Sequence, residues 1–179
     1  MEQFARLITA DLIATIQAVK KNQIESYLVT IYPELYDFAF ALIPEDLQAE
    51  QMVIDAVCVL MINDAGMLNT FGDKALGGQE LYFKVQRQMY KHLFTLGQKR
   101  SEQMTNGMKG QSTHPDFFQM DLPSRAVLFL KHKTTLDIGD LEYITDLERS
   151  EVLGRLNLAR ECMCQWIGTK LFEEKVYVE

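Results

Sequence analysis

Several features that would place this chain in a specialised class are scarce or missing. Its 179 residues include four prolines, one tryptophan and three cysteines, Cys58, Cys162 and Cys164. An odd cysteine count without a C-x-x-C pair argues against a disulfide framework and predicts buried structural thiols. No segment reaches the roughly 18 uninterrupted apolar residues of a membrane helix, and the first 21 residues lack the features of a secretory signal. We therefore expect a soluble, cytoplasmic protein without membrane insertion.

Recognisable catalytic and metal-binding motifs are also missing. The sequence contains no Gly-rich phosphate loop, no G-x-S-x-G and no H-E-x-x-H. Its three histidines, His92, His114 and His132, are too scattered to form a metal set with the cysteines. No acid, base and nucleophile occur at a recognisable spacing. We expect no enzymatic activity, no catalytic residues, no bound metal and no cofactor.

What the sequence does contain is helical periodicity in nearly every segment, with little strand-like alternation. The pattern predicts an all-α fold of two small helical domains, residues 1–100 and 121–179. Between them, residues 101–120 are rich in Gly, Ser, Asn and Thr and predict a linker, from which Phe117 and Phe118 either dock onto a domain or remain free. The first helix is predicted over about residues 3–29, and Pro33 is predicted in the first turn of the next helix.

The net charge of −7 is unevenly distributed along the chain. Residues 26–76 contain eight acidic residues and one lysine, and residues 135–161 contain seven acidic residues and three arginines. Between these acidic blocks, residues 77–112 contain six basic and two acidic residues. The overall charge argues against nonspecific coating of nucleic acid, because affinity for phosphates comes from Lys and Arg. The basic segment is the candidate for a specific contact.

A single predicted helix, "LYFKVQRQMYKHL", concentrates basic and aromatic residues. Lys84, Arg87 and Lys91 recur at helical spacing and are predicted to line one face that follows a phosphate backbone. The aromatic residues interleaved with them could stack on unpaired bases, at about 1 to 3 kcal/mol for each base; they are Tyr82, Phe83 and Tyr90. In the alternative interpretation, the aromatic residues belong to the core and the basic residues form a solvated face.

Near the C-terminus, a short predicted helix, "DIGDLEYITD", precedes a long one that begins with "RSEVLGRLNLAR". Two helices joined by a turn of three or four residues form a helix-turn-helix arrangement, in which the second helix enters the DNA major groove. Arg149, Ser150 and Arg155 are predicted to face outward and to contact DNA. Glu148 and Glu151 face outward as well and oppose such contacts.

Taken together, the two halves resemble an RNA polymerase sigma factor of the sigma-70 family, of the small extracytoplasmic-function type. The segment "DLPSRAVLFLKHKTTLDIGDLEYITDLERSEVLGRLNLAR" resembles region 4 of that family, a helix-turn-helix domain, without a gap. More loosely, "YLVTIYPELYDFAFALI", "LQAEQMVIDAVCVLMI" and "LYFKVQRQMYKHL" are similar to three helices of region 2, a helical bundle. The resemblance covers roughly residues 26–100 and 121–165.

This resemblance implies a function in transcription initiation. Region 2 of the family binds a coiled coil of core RNA polymerase and captures single-stranded promoter DNA, and region 4 binds an upstream duplex element. The positions that match the polymerase-binding helix are Glu50, Gln51, Ile54 and Asp55. The implied partners are core RNA polymerase, promoter DNA and a possible anti-sigma factor or other regulatory protein.

Several positions depart from the family pattern. Gln51 and Ile54 stand where the family usually has an acidic and an amide residue, and Leu153 and Leu158 replace basic residues of region 4. Leu81 occupies a place that is often tryptophan. These departures support an alternative, a sigma-like regulatory protein that has lost promoter recognition and acts through protein–protein interaction.

Overall fold

The computed structural model describes residues 23–69, 78–104 and 115–176, and in these residues the secondary structure is helical, without a strand. This confirms the predicted all-α fold. The N-terminal half contains α1 (residues 23–42), α2 (Asp46–Asn63), α3 (Ala65–Asn69) and α4 (Gly78–Met104). The predicted start of the first helix, near residue 3, lies outside the described residues.

Helix α1 continues through Pro33, so the prediction that a new helix begins there was wrong. Proline removes the hydrogen bond to the carbonyl of Val29, but both residues are exposed, and water can hydrate that carbonyl. The opposite side of the helix is held by burial of Leu35, Phe38 and Leu42. Packing of these apolar side chains offsets the local cost of the proline.

The C-terminal half contains α5 (Pro115–Gln119), α6 (Leu122–Lys133), α7 (Ile138–Thr145) and α8 (Arg149–Val176). Residues 146–148 form the turn between α7 and α8, which has the predicted length. Asp146 adopts a left-handed conformation there, with φ of 56°, and its N–H donates to the carbonyl of Glu142. This arrangement ends α7 and redirects the chain into α8.

One hydrophobic core includes buried residues of both halves. Phe38 of α1 lies 5.4 Å from Phe129 of α6, measured between ring centroids. Arg125 of α6 is buried, and its Nη2 donates to the carbonyl oxygen of Leu42 at the end of α1, at 2.9 Å. A cation at this position satisfies a carbonyl that has no partner within its own helix and interacts favourably with the helix dipole. The two predicted domains are therefore in direct contact.

The ends of the predicted linker are helical. Helix α4 continues to Met104 and α5 begins at Pro115, whereas residues 105–114 lie outside the described residues. Phe118 of α5 packs edge-on against Phe40 of α1, with ring centroids 6.1 Å apart. Of the two possibilities for these phenylalanines, Phe118 therefore docks onto the fold.

The cysteines are unpaired, and the expectation that they are buried was wrong for two of them. Cys58 and Cys164 are exposed, and Cys162 is half-buried. Cys58 lies on the solvent side of α2, opposite the side that carries the buried Ala49, Val53 and Ala56. A helix with apolar residues on two sides does not reveal which side faces the core.

Candidate nucleic-acid and protein interfaces

The three predicted basic residues of α4 lie on one side of the helix but have different surroundings. Lys84 is exposed, and its Nζ lies 2.7 Å from Oε1 of Glu80, one turn earlier. Arg87 is only 31% exposed, and its Nη1 lies 3.0 Å from Oδ1 of Asp140 on α7. The central cation of this face is therefore paired with a carboxylate of the C-terminal half.

Tyr143 of α7 covers the same part of α4. Its ring centroid lies 4.2 Å from Cζ of Arg87 and 4.2 Å from Nζ of Lys91, so that both cations contact one aromatic ring. The Tyr143 hydroxyl donates a hydrogen bond to Oε1 of Gln88, which lies between them in the sequence. A phosphate that binds Arg87 therefore competes with Asp140 and Tyr143. We refer to Asp140 and Tyr143 as the α7 cover.

The α7 cover is fixed by the way in which α7 begins. The Asp140 N–H donates to Oδ1 of Asp137 at 2.9 Å, and the Asp137 N–H donates to Oδ2 of Asp140 at 3.1 Å, which forms a reciprocal capping box. The remaining oxygen of Asp140 accepts from Arg87. One carboxylate therefore both caps α7 and neutralises the basic face of α4.

The predicted base-stacking residues of α4 are separated by burial. Tyr90 is fully buried, with its ring edge-on to Phe38 at 5.2 Å, and burial, with Glu34 nearby, raises the pKa of its hydroxyl. Tyr82 is half-buried, with its ring 4.5 Å from that of Tyr27. Phe83 is 36% exposed. In this arrangement Tyr90 is a core residue that a base cannot reach, and Phe83 is the most accessible of the three rings.

On α8, the predicted DNA-contacting residues are on the surface. Arg149 and Ser150 are exposed. Arg155 is partly buried, with Nη2 2.8 Å from Oε1 of Glu151 and Nη1 paired with Asp121. Its charge is therefore compensated by two carboxylates, whereas Leu153 and Leu158 are 42% and 56% exposed on the same helix. This face of α8 offers a phosphate less positive charge than the count of arginines suggests.

The predicted polymerase-binding residues lie together on the solvent side of α2. Glu50, Gln51 and Ile54 are exposed. Asp55 is half-buried, where it accepts from Nε2 of Gln51 at 2.8 Å and pairs with Arg100 of α4. Arg100 Nη1 also donates to the carbonyl of Gln48, at 3.1 Å. These contacts fix the acidic edge of the surface against α4 and leave Ile54 at its centre.

The structure extends this surface beyond Ile54 with apolar residues that the resemblance did not assign to a binding site. Four large side chains are exposed at helical spacing along α2: Leu47 (74% exposed), Ile54 (47%), Met61 (38%) and Ile62 (77%). Together with the exposed Cys58 they form what we call the α2 stripe. Their recurrence at positions 47, 54, 58 and 61, on the side opposite the core, was the available signal.

Among the described residues, no group of three or more His, Cys, Asp or Glu side chains is placed to hold a metal ion. None of the helices in the described part of the chain is both long and apolar enough to cross a membrane. Searches with protein-family models, among curated proteins and among solved structures find no match to this chain.

Proposed function

We propose that this protein is a sigma-like transcription regulator that acts mainly through protein contacts of the α2 stripe, with the coiled coil of core RNA polymerase as its partner. Two independent observations support a binding role for α2. The order of the helices resembles that of small sigma factors, in which the matching helix binds polymerase. The same helix carries the α2 stripe, flanked by the exposed Glu50.

The observation that carries the proposal is the exposure of four large apolar side chains along one side of α2. Contiguous apolar surface in contact with water is unfavourable, and it commonly marks a site of protein interaction. A straight stripe at helical spacing fits the apolar face of another helix. The acidic Glu50 beside it favours a partner whose flanking residues are basic.

Binding of bacterial core RNA polymerase to the immobilised protein tests the proposal. We expect binding by the parent and a loss of affinity of at least about tenfold after Ile54→Asp or Ile62→Asp, because each change places a charge within an apolar contact. Leu158→Asp is the matched control, since Leu158 is similarly exposed but lies on α8. Failure of the parent to bind, or equal losses in all three variants, would overturn the proposal.

Promoter binding by α4 is the second candidate, and the position of its basic residues favours it. Lys84, Arg87 and Lys91 lie on one side of α4, and Lys84 and Phe83 lie outside the α7 cover. Contact of DNA with Arg87 competes with the ion pair to Asp140, and contact with Lys91 competes with the Tyr143 ring. Fluorescence anisotropy with fork-junction promoter DNA tests this, with and without core polymerase. We expect polymerase-dependent binding that is abolished when the three basic residues are changed to Glu.

A further inference from the structure

A cavity of about 820 Å³ lies between α1 on one side and α5, α6 and α8 on the other. Its volume is within the range of sites that bind small molecules. Aromatic side chains from α1, α5 and α6 form much of its wall; they are Tyr36, Phe40, Phe117, Phe118 and Phe129. None of the residues of the α2 stripe lines the cavity, although Asp46, which does line it, directly precedes Leu47 of the stripe.

The aromatic wall is a connected set of rings and not a collection of isolated side chains. Phe40 lies 6.3 Å from Tyr36 and 6.1 Å from Phe118, and Phe118 lies 5.0 Å from Phe117. All four of these residues are only half-buried. Aromatic rings contribute most when their faces are covered, so this wall retains apolar area that a ligand can bury.

The basic side chains at the cavity come from α6 and α8. His132 and Lys133 lie in the last turn of α6, and Arg160 lies on α8. All three are exposed, and within the described part of the chain neither Lys133 nor Arg160 forms an ion pair. Arg155, one turn before Arg160, is by contrast bound to two carboxylates.

The acidic groups at the cavity come from α1 and the start of α2. Asp46 accepts a hydrogen bond from the Tyr36 hydroxyl at 2.8 Å, which occupies one of its oxygens. Asp37 is the other carboxylate in the lining. These acids disfavour a ligand with several negative charges, whereas the unpaired cations of α6 and α8 favour one with a single anionic group.

We propose that this cavity binds an amphipathic monocarboxylate, with its apolar body against the aromatic wall and its carboxylate at Lys133 and Arg160. A carboxylate accepts charge-assisted hydrogen bonds from both side chains, and the rings supply apolar contact along the body. The attraction is local, because the net charge of −7 does not attract anions to the protein as a whole.

Binding also stabilises the contact between the two halves. The cavity has walls from α1 and from α5, α6 and α8, so it exists only when the halves are packed together. A ligand that binds the folded arrangement and not the unfolded chain raises the unfolding temperature, and the rise increases with the logarithm of ligand concentration above Kd. This gives a second readout that does not depend on polymerase or DNA.

Isothermal titration calorimetry with decanoate, 1-decanol and decyltrimethylammonium tests which head group the cavity prefers. The three ligands have the same ten-carbon chain and differ in the charge of the head group. We expect decanoate to bind at least about tenfold more tightly than the other two, because only it pairs with the cations. Decanoate should also raise the unfolding temperature. Absence of decanoate binding, or equal affinity for 1-decanol, would overturn the proposal.

Variants separate the head group from the body of the ligand. Changing both Lys133 and Arg160 to Ala should lower the affinity for decanoate about tenfold, to that of 1-decanol, without altering 1-decanol binding. Lys131→Ala is the matched control, since Lys131 lies in the same helical turn but outside the cavity lining. Phe118→Leu should lower the affinity for decanoate and for 1-decanol by a similar factor, because it changes only the apolar wall. An equal loss from Lys131→Ala would show nonspecific attraction and contradict the assignment.

Discussion

Helices α2 and α4 pack against each other in the N-terminal half. The resemblance to sigma factors implies a partner-binding face on α2, and the spacing of the basic residues predicts one on α4. The two faces differ in whether another part of the described chain covers them. The α2 stripe is apolar and remains open to water. The basic face of α4 carries the groups that water solvates best, yet its centre is occupied by Asp140 and Tyr143 of α7. The face that gains more from water is the one that is covered.

The reason for this difference is complementarity within the chain. A basic face in an acidic protein finds counter-charges nearby, and α7 supplies a carboxylate and an electron-rich ring at the required positions. Within the described part of the chain no helix covers the α2 stripe, which leaves it available to another molecule. In this protein, exposed apolar area marks a face that no described residue covers, whereas the cluster of basic residues marks a face that α7 covers.

Among changes to the two faces, the largest loss of stability is expected when the carboxylate of α7 that covers the basic face of α4 is removed. Asp140→Ala removes one member of the capping box and leaves Arg87, which is largely buried, without its carboxylate. We expect the free energy of unfolding to fall by about 3 kcal/mol, because loss of one partner of a mostly buried ion pair adds to loss of a helix cap. Urea denaturation followed by circular dichroism measures the change.

Asp137→Ala is the matched control for Asp140→Ala. It removes the other member of the same capping box but leaves the Arg87–Asp140 pair in place. We expect a loss of only about 1 kcal/mol. If the two variants lost the same stability, the contact between α4 and α7 would contribute nothing beyond the cap.

A smaller loss of stability is expected when the Tyr143 ring of the α7 cover is removed and the Asp140 carboxylate is kept. Tyr143→Ala deletes the ring that contacts both Arg87 and Lys91. We expect a loss of stability of about 1 kcal/mol, together with an affinity for single-stranded oligonucleotide that rises about threefold to tenfold at low salt. Fluorescence anisotropy over a range of salt concentrations measures the second effect. Tyr143→Phe keeps the ring and should bind like the parent; unchanged binding by Tyr143→Ala would contradict a covering role.

The fold was more predictable from sequence than the position of its helix boundaries. Helical spacing of apolar residues was sufficient for the all-α class, because each helix buries one side. The continuous α1 was not predictable at Pro33, because the cost of proline there is offset by tertiary burial of Leu35, Phe38 and Leu42. Contacts between the halves were also not visible, since Arg125 reaches a carbonyl 83 residues earlier in the chain.

The candidate site was predictable only as a set of helix faces. Spacing correctly placed Lys84, Arg87 and Lys91 on one side of α4, but it contained no information about which residues of α7 would lie against them. Tyr90 follows the same pattern as its neighbours and is nevertheless buried, because Phe38 of α1 packs against its ring. Such tertiary partners decide whether an aromatic residue is a stacking surface or part of the core.

The tyrosines next to the basic face should make stability depend on pH in the alkaline range. Burial raises the pKa of Tyr27 from 10.0 to about 12 and also raises that of Tyr90. The folded state therefore holds these protons more tightly than the unfolded chain. The contribution of Tyr27 to stability is complete well below pH 10 and is lost as the pH rises from about 10 to 12, whereas that of Tyr90 is lost only at higher pH.

We expect the free energy of unfolding to fall by about 1 kcal/mol between pH 9 and about 11, a value reduced for the partial exposure of Tyr27. Urea midpoints at successive pH values measure this decline. Tyr27→Phe is less stable at neutral pH, because it loses the hydrogen bond to the Tyr82 carbonyl, but its decline should be shallower. A parallel decline in parent and variant would show that the Tyr27 phenol is solvated in the folded state.

The smallest change in stability is expected on the exposed α2 stripe, and it gives the sharpest contrast with the covered face of α4. Ile54→Gln and Ile62→Gln replace side chains that are 47% and 77% exposed on the α2 stripe. Because most of each side chain already contacts water, we expect the free energy of unfolding to change by less than about 0.5 kcal/mol in either direction. Leu60→Gln, one position away on the buried side of α2, should by contrast prevent stable folding. If Ile54→Gln destabilised the isolated protein as strongly as a core change, the α2 stripe would be an intramolecular contact surface. If Ile54→Gln and Ile62→Gln leave the free energy of unfolding intact and weaken polymerase binding, the α2 stripe contributes to binding and not to folding.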